Sequence, residues 1–219
     1  MPLSDVRTIG ILTGGGDCPG INPAVKAVVC KARMVGVRVL GIRDGWGGLL
    51  SDDPADVVEL DVRAVESIDR TGGTILGTSR TNPYRRQDGP GRVASRTLAL
   101  GLDALVVVGG EDTLGVADRL VRDHGLRIVG IPKTIDRDLG LTDYTLGFES
   151  AVQTIAEAID HLRTTAAAHG RIFVLETMGR FTGHLALRGA IAGGADLVLI
   201  PEVEFEVEAG PKGPQAINV

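Results

Sequence analysis

The chain has 219 residues, which is enough for one large domain or two small ones. Its net charge of −5 and its aromatic content of 3% argue against a nucleic-acid surface, because such surfaces need basic side chains and stacking rings. Two cysteines, Cys18 and Cys30, indicate reduced thiols rather than a disulfide framework. No apolar stretch has membrane-spanning length and no signal-peptide pattern opens the chain, so we predict a cytoplasmic protein with no membrane or nucleic-acid partner.

Short aliphatic runs predict the strands, and apolar residues at helical spacing predict the helices between them. The strands are expected at residues 7–12, 37–42, 103–108, 127–131, 171–175 and 196–200. The helices are expected at 24–32, after Asn22 and Pro23, then at 91–101, 114–123, from after Thr145 to about 168, and at 181–192. Residues 57–69 favour a short strand and a short helix, and residues 72–80 favour a loop rich in backbone donors.

The alternation of strands and helices predicts an α/β fold with a mostly parallel sheet flanked by helices. In such sheets ligands bind beyond the carboxyl ends of the strands. Three unusual loops, TGGGDCPG, GGEDT and PKTIDRD, each follow a strand directly, so we expect them at one edge of the sheet. After about Val207 the periodicity is lost, and the glycines and prolines there predict a linker or an irregular end.

The glycine loop TGGGDCPG, residues 13–20, leads into a helix, where its backbone amides could cradle a phosphate group. It is not a GxGxxG loop, because Pro19 stands where the third glycine belongs, and no Gly-Lys dipeptide provides a Walker A loop. The alternative interpretation is a tight turn between strand and helix. Cys18 has no basic group nearby in the sequence, so we assign it no chemistry.

The GGEDT segment, residues 109–113, is expected to place two carboxylates at the end of a strand. A carboxylate in this position suits Mg²⁺, which favours oxygen ligands. The alternative interpretation is capping of the following helix by Asp112 or Thr113. Both roles can hold together.

The PKTIDRD segment, residues 132–138, combines a lysine, a hydroxyl and two carboxylates directly after a buried strand. Asp136 and Asp138 are two residues apart, so in an extended chain they would share a face. One could act as a general base and the other as a metal ligand or charge partner. Lys133 adds a positive point charge, and together with the glycines these groups suit phosphoryl transfer. The alternative interpretation is a solvated acidic turn.

Several basic residues outside these loops could contact phosphate, since arginine binds phosphate oxygens in pairs. They are Arg80 in GTSR, Arg171 before an expected strand, and Arg180 after it. Surface salt bridges are the alternative interpretation for Arg80 and Arg171. The four histidines have no metal-ligand spacing, and we treat them as surface or core residues.

Seven motifs in order resemble those of 6-phosphofructokinases, in particular the pyrophosphate-dependent, actinobacterial-type branch. They are GGGDCPGIN, GGTILGTSR, GGEDT, PKTIDRD, TDYTLGF, ETMGRFTG and AGGADLVLIPE, and the resemblance covers about residues 7–206. It implies the three-layer fold of that family, with a donor-binding α/β domain at 1–147 and a partial sugar-phosphate domain at 148–219 that includes the irregular tail. It also implies transfer of a phosphoryl group to the 1-hydroxyl of fructose 6-phosphate in glycolysis.

The resemblance implies roles for individual residues. Asp136 matches the base that accepts the proton of the sugar hydroxyl, and Glu111 and Asp138 match acids that hold Mg²⁺. The residues matched to the donor are Gly15, Arg80, Gly110, Asp112 and Lys133. Those matched to the substrate are Thr134, Asp136, Asp138, Arg171, Met178, Gly179 and Arg180. Thr134 and Arg171 are expected to act in catalysis with Asp136, and Arg171 to cross to a neighbouring subunit, which implies a homodimer or homotetramer.

Two residues bear on the choice between pyrophosphate and ATP. ATP users of this family usually have glycine where Asp112 stands, and an aspartate there adds bulk and negative charge against the α-phosphate of ATP. Lys133 could hold the departing phosphate, and the pyrophosphate branch pairs such a lysine with such an aspartate. Thr81 also stands where some ATP users place an aromatic ring against the adenine. We therefore predict pyrophosphate as the donor, with ATP as the alternative.

Two departures from the family pattern leave a second class of function open. Arg137 stands between the two aspartates, where the family usually has asparagine. The chain also ends before the segment that gives family members further sugar-phosphate contacts, so we expect exposed apolar surface and an open pocket. The alternatives are a truncated, non-catalytic form that binds sugar phosphate, and a related kinase acting on a nicotinamide dinucleotide or lipid.

Overall fold

The computed structural model describes residues 6–200, 206–210 and 213–217, the last two ranges by their backbone. The described chain packs as two compact units. The first comprises the described residues up to Thr134 together with Leu139–Gly147. The second comprises Ile135–Asp138 together with the described residues from Phe148 onward.

The first unit is built around a six-stranded sheet in the order β3-β2-β1-β4-β5-β6. All neighbouring pairs are parallel except β2 with β3, which confirms the predicted α/β fold with a mostly parallel sheet. The strands are β1 (Thr8–Thr13), β2 (Arg38–Ile42), β3 (Val57–Leu60), β4 (Ala104–Gly109), β5 (Ile128–Thr134) and β6 (Leu146–Gly147).

Helices cover both faces of this sheet, which is why the central strands are aliphatic on both sides. The helices of the first unit are α1 (Ile21–Met34), α2 (Trp46–Leu50), α3 (Gly89–Ala99) and α4 (Glu111–His124). A core cluster joins α2, α3 and α4 to one face through buried residues that include Leu12, Val107 and Leu120. Ile11, the neighbour of Leu12 that points to the other face, is also fully buried. Short 3₁₀ turns occur at Pro54–Asp56, Ile68–Arg70 and Pro83–Arg85.

The second unit contains two packed helices, α5 (Phe148–His169) and α6 (His184–Gly193). Small residues on α6 let the two helices approach closely, since a methyl group at Gly189 would lie 2.5 Å from Cγ2 of Ile155. The guanidinium of Arg163 on α5 donates to the carbonyls of Gly193 and Gly194 at the end of α6, at 2.7 and 2.6 Å. No helix in the described part of the chain is long and apolar enough to cross a membrane.

The strands expected at 171–175 and 196–200 are wrong, because the structure has no strand between residues 171 and 200. Their apolar side chains are exposed, with Ile172 at 96%, Val174 at 85% and Leu199 at 76%. A β-branched composition suits a pleated, half-buried surface, but a strand also needs a neighbour for its backbone groups. Among the described residues these two segments have no such neighbour.

The tail also differs from the irregular end that its composition predicts. Residues Glu206–Gly210 form β7 and Gly213–Ile217 form β8, and the two strands pair antiparallel. Glycines and prolines suggested a linker, but Gly210 pairs with Gly213 and Ala209 with Pro214. These residues therefore belong to an antiparallel strand pair rather than to an irregular end.

Candidate active site

The carboxyl ends of β1, β4 and β5 lie side by side, because these three strands are parallel neighbours in the sheet. The amide of Gly14, just past β1, donates to the carbonyl of Val108 in β4 at 2.9 Å. Gly109 at the end of β4 is in register with Pro132 in β5. Within the first unit, the glycine loop, the GGEDT segment and the start of PKTIDRD therefore meet at one edge of the sheet, as predicted.

At this edge of the sheet, the backbone conformation at position 15 requires glycine. The φ of +87° at Gly15 lies in the left-handed region, which a side chain disfavours. Its amide donates to the carbonyl of Ser79 at 3.0 Å, and the hydroxyl of Thr78 donates to its carbonyl at 2.6 Å. The loop at 72–80 thus holds the glycine loop from the side.

Lys133 brings a positive charge to the glycine loop. Its side chain is 5% exposed, and its Nζ donates to the carbonyl of Gly16 at 2.5 Å. A methyl group at Gly15 would lie 3.5 Å from the same Nζ. A buried ammonium beside backbone donors favours an anionic ligand, because the low dielectric strengthens the attraction.

Helix α4 begins at Glu111, three residues earlier than the sequence predicts. Its N-cap is Gly110, which makes no side-chain capping bond, so capping by Asp112 or Thr113 is wrong. Glu111 and Asp112 instead occupy the exposed first turn of α4, where the partial positive charge of the helix terminus stabilises carboxylates. Their carboxylates are therefore available to a cation or a ligand at this edge.

Thr134, the last residue of β5, is 8% exposed, and its carbonyl accepts a hydrogen bond of 2.7 Å from the hydroxyl of Thr145. This bond ties the end of β5 to the segment that precedes β6. Strand β5 therefore runs through Pro132 and Lys133 to Thr134, rather than ending at residue 131. As a result, the strand itself fixes the lysine and the threonine of PKTIDRD.

Asp136 and Asp138 belong to the second unit, and contrary to the prediction they do not share a face of an extended chain. Arg137 between them has a φ of +53°, so the backbone turns there instead of continuing as a pleat. The Arg137 guanidinium lies 5.3 Å from the ring centroid of Phe148, the first residue of α5. The hydroxyl of Thr182 donates to the carbonyl of Asp136 at 2.7 Å. Two contacts thus hold the Ile135–Asp138 segment within its unit.

Of the residues matched to the substrate, Arg171, Met178 and Arg180 lie on the surface of the second unit, whereas Gly179 is buried. Arg180 is exposed, has a φ of +51°, and its guanidinium lies 5.4 Å from the ring centroid of Phe181. Met178 is 75% exposed and Arg171 is exposed. In the first unit Arg80 is likewise exposed, at the end of the loop that holds Gly15.

Cys18 is buried next to the glycine loop, and its thiol points to the carbonyls of Pro19 and Leu146, both at 3.3 Å. Burial raises the pKa of this thiol to about 11, although the charge of Lys133 opposes the shift. The thiol is protonated at neutral pH, which agrees with giving it no chemistry.

Three residues near these loops were missed by the sequence reasoning. Thr182 lies in MGRFTG, which was quoted only as a motif, and it contacts Asp136. Thr113 was considered only as a cap, but it is 5% exposed and packs between two glycines. Trp46 is 1% exposed and donates to the carbonyl of Thr113 at 3.3 Å. No pattern in the DGWGG sequence around Trp46 predicts this contact.

The phosphofructokinase family model matches residues 8–213, nearly the whole chain. The chain belongs to the phosphofructokinase family. It is similar to the pyrophosphate–fructose 6-phosphate 1-phosphotransferase of Streptomyces coelicolor, with 53% identity over 91% of this chain and 58% of that protein. Its fold is similar to phosphofructokinase from Pichia pastoris in the T-state, with a TM-score of 0.81 and 36% identity over 87% of this chain and 22% of that one.

An ATP-dependent relative is also similar to the chain. ATP-dependent 6-phosphofructokinase 3 of Streptomyces coelicolor is 49% identical over 91% of this chain and 58% of that protein. The chain is therefore only a few per cent more identical to the pyrophosphate-dependent relative than to this ATP-dependent one. The chain spans just under three fifths of the length of both Streptomyces relatives.

Proposed function

We propose that this protein transfers a phosphoryl group from pyrophosphate to the 1-hydroxyl of fructose 6-phosphate, which yields fructose 1,6-bisphosphate and phosphate. The observation that carries the proposal is the buried ammonium of Lys133 beside the glycine loop, with Asp112 in the first turn of the neighbouring α4. The name of the 53% identical relative supports the same donor and acceptor.

The donor assignment rests on charge and space at the start of α4. The α-phosphate and the nucleoside of ATP would have to pass the position of Asp112, whose carboxylate repels an anion and occupies space that glycine would leave open. Pyrophosphate ends before that position. Lys133 stabilises the leaving phosphate, whose negative charge grows as the bond to the transferred phosphorus breaks.

Asp136 is the proposed general base. It takes the proton of the 1-hydroxyl while that oxygen forms a bond to phosphorus, and the bridging P–O bond of pyrophosphate breaks to release phosphate. General-base assistance of this kind contributes roughly 10²–10⁴-fold in rate. Thr134 lies beside the substrate, Arg171 reaches the site of a neighbouring subunit, and Met178, Gly179 and Arg180 bind the sugar phosphate. The transfer is expected to run in either direction.

Mg²⁺ is the proposed cofactor, held by Glu111 and Asp138, directly or through water. The donor set fits this ion, because Mg²⁺ usually takes one or two carboxylates and completes its coordination with water and phosphate oxygens. Glu111 is exposed in the first turn of α4, where its carboxylate is accessible. Among the described residues no group of three or more His, Cys, Asp and Glu side chains could hold a metal by protein ligands alone. When bound, the ion neutralises charge on the transferring phosphoryl group.

We also propose that the protein is a cytoplasmic homo-oligomer. The exposed Arg171 and its proposed role in a neighbouring site require a homo-oligomer, a dimer or a tetramer. Glycolysis and the two reduced cysteines favour the cytoplasm.

The test is an assay that couples formation of fructose 1,6-bisphosphate to aldolase, with Mg²⁺ and either pyrophosphate or ATP as donor. The proposal predicts turnover with pyrophosphate and slower turnover with ATP. The Asp136→Asn variant should lose at least about a hundredfold in kcat while still binding fructose 6-phosphate. Faster turnover with ATP, or an Asp136→Asn variant as active as the wild type, would contradict the proposal.

A second candidate is a protein that binds sugar phosphate without catalysing transfer. Arg137 favours it, because an arginine stands next to the proposed base where the family usually has asparagine. Calorimetric titration with fructose 6-phosphate separates the two candidates when it is run beside the assay. Binding without turnover from either donor would support the second candidate and reject the first.

A further inference from the structure

Trp46 is the single tryptophan of the chain, and its indole contacts the first turn of α4. It is the first residue of α2 and is 1% exposed within the core cluster. Its indole Nε1 donates to the carbonyl of Thr113 at 3.3 Å, across 67 residues of sequence. The contact therefore connects the start of α2 to the helix that carries Glu111 and Asp112.

Thr113 in turn packs against the glycines of both neighbouring loops. A methyl group at Gly14 would lie 2.7 Å from Oγ1 and Cγ2 of Thr113, and one at Gly109 would lie 2.5 Å from its Cβ and Cγ2. These approaches are too close for any side chain, so the Thr113 side chain fills the space above two bare backbone segments. It fixes the distance between the glycine loop after β1 and the start of α4.

We propose that Trp46 and Thr113 form a positioning pair that sets the donor pocket for pyrophosphate. The indole holds Thr113 in place. The Thr113 side chain then sets the distance between the backbone amides of the glycine loop and those at the α4 N-terminus. Binding of a small, highly charged anion depends on such spacing, because each backbone donor must point at a phosphate oxygen. This inference rests on the proposed function, since it assigns the residues that support the donor site.

A purely structural role for Trp46 makes a different prediction. As a core residue it would contribute to stability through buried apolar area, and its loss would weaken folding without a selective effect on one ligand. As a positioning residue it changes the affinity for pyrophosphate more than the affinity for fructose 6-phosphate. The hydrogen bond to Thr113 is what separates the two roles, because phenylalanine keeps most of the apolar volume and lacks the N–H donor.

The experiment compares Trp46→Phe with Leu120→Val in the 219-residue chain. Leu120 belongs to the same core cluster and to the far end of α4, so its variant loses core packing without touching the loops. Calorimetry with Mg²⁺ and pyrophosphate should show binding weakened about tenfold in Trp46→Phe and unchanged in Leu120→Val. Fructose 6-phosphate should bind both variants as it binds the wild type.

The single tryptophan supplies an independent optical signal. Pyrophosphate with Mg²⁺ should change the emission of Trp46 in the wild type with the midpoint that calorimetry gives. Thr113→Ser keeps the fluorophore and removes the methyl group that fills the space over Gly14 and Gly109, so it should shift this midpoint to higher concentration. If Trp46→Phe unfolds at the assay temperature, Thr113→Ser alone decides the question.

The outcomes separate this inference from the proposed function. If the wild type binds pyrophosphate, but Trp46→Phe and Thr113→Ser bind it equally well, the positioning pair is rejected and the function stands. A Trp46 emission spectrum that does not change when pyrophosphate binds would also reject the positioning pair. If the wild type binds no pyrophosphate in calorimetry, the proposed donor is wrong and the inference falls with it.

Discussion

Arg137 adopts a backbone conformation that few residues other than glycine, asparagine and aspartate tolerate. Its φ is +53°, in the left-handed region, where a Cβ atom crowds the carbonyl oxygen. The family resemblance places asparagine at this position, and asparagine enters the left-handed region several times more often than most residues. Arg137 offsets part of the strain through its guanidinium, which lies over the ring of Phe148.

A pair of substitutions isolates the backbone effect. Arg137→Asn and Arg137→Ile both remove the contact with Phe148, so this loss cancels in the comparison. The isoleucine variant should be less stable than the asparagine variant by about 1–2 kcal/mol, because a β-branched side chain is the least tolerant of positive φ. Urea unfolding of both variants measures the difference. Equal stability would show that residue 137 does not keep this backbone conformation in solution.

Cys18 gives a second prediction at the residue scale. Burial raises its pKa to about 11, so the thiol stays protonated and unreactive at pH 8 in the folded chain. A thiol reagent added at pH 8 should modify Cys18 at least about a hundredfold more slowly than it does in urea. In the Cys18→Ala variant Cys30 is the only cysteine. Comparison with this variant shows which phase of the modification belongs to Cys18. Rapid modification of Cys18 in the folded chain would contradict its burial beside Leu146.

The bounds of strands formed by buried aliphatic runs could be predicted from the sequence, but the start of a helix that begins with polar residues could not. Strands β1, β2 and β4 lie within one residue of their predicted bounds, because each run ends at a glycine or a polar residue. Helix α4 begins three residues early, since the Glu-Asp-Thr triplet gives no apolar signal until Leu114. The segments at 171–175 and 196–200 have strand composition, yet strand formation depends on partners that local sequence does not encode.

The candidate site could also be predicted only in part. The meeting of three loops at one edge followed from parallel strands and could be predicted. The burial of Lys133 and its contact with Gly16 depend on β5 continuing to Thr134, which the proline at 132 obscured. The contact between Trp46 and Thr113 joins residues far apart in sequence, and no sequence pattern predicts it.

Two glycines near the start of α4 should respond in opposite ways to alanine. Gly109→Ala places a methyl group 2.5 Å from Thr113 and should destabilise the chain by about 1–3 kcal/mol, because the packed loop has no room. Gly115→Ala lies on the exposed side of α4 with nothing within 4 Å, and should stabilise it by about 0.5–1 kcal/mol through helix propensity. Thermal and urea unfolding measure both. Destabilisation by Gly115→Ala as large as that by Gly109→Ala would contradict the packing described for this loop.

At the scale of the whole molecule, the two units differ in how they cover apolar side chains. The first unit has a buried core cluster of aliphatic residues and Trp46. The second exposes large apolar side chains along 172–175 and 197–200. Exposed apolar patches of this kind favour association with other surfaces.

We therefore expect the 219-residue chain to bind an apolar dye such as anilinonaphthalene sulfonate. Ile172→Ser with Val174→Ser should reduce the dye fluorescence at least twofold, because these two side chains are 96% and 85% exposed. Met34→Ser is the matched control, since Met34 is 80% exposed in the first unit, outside the 172–200 segment. A control variant that loses as much dye binding as the double variant would show that the 172–175 segment is not the exposed surface.

The role of Asp112 in donor selection is measured as the ratio of kcat/KM for pyrophosphate to kcat/KM for ATP. The wild type should give a ratio well above one, and Asp112→Gly should lower it at least about tenfold by raising the ATP value. Asp112→Asn, which keeps the bulk and removes the charge, shows how much of the change is electrostatic. A wild-type ratio below one, or a folded Asp112→Gly variant with an unchanged ratio, would contradict the claim that Asp112 selects the shorter donor.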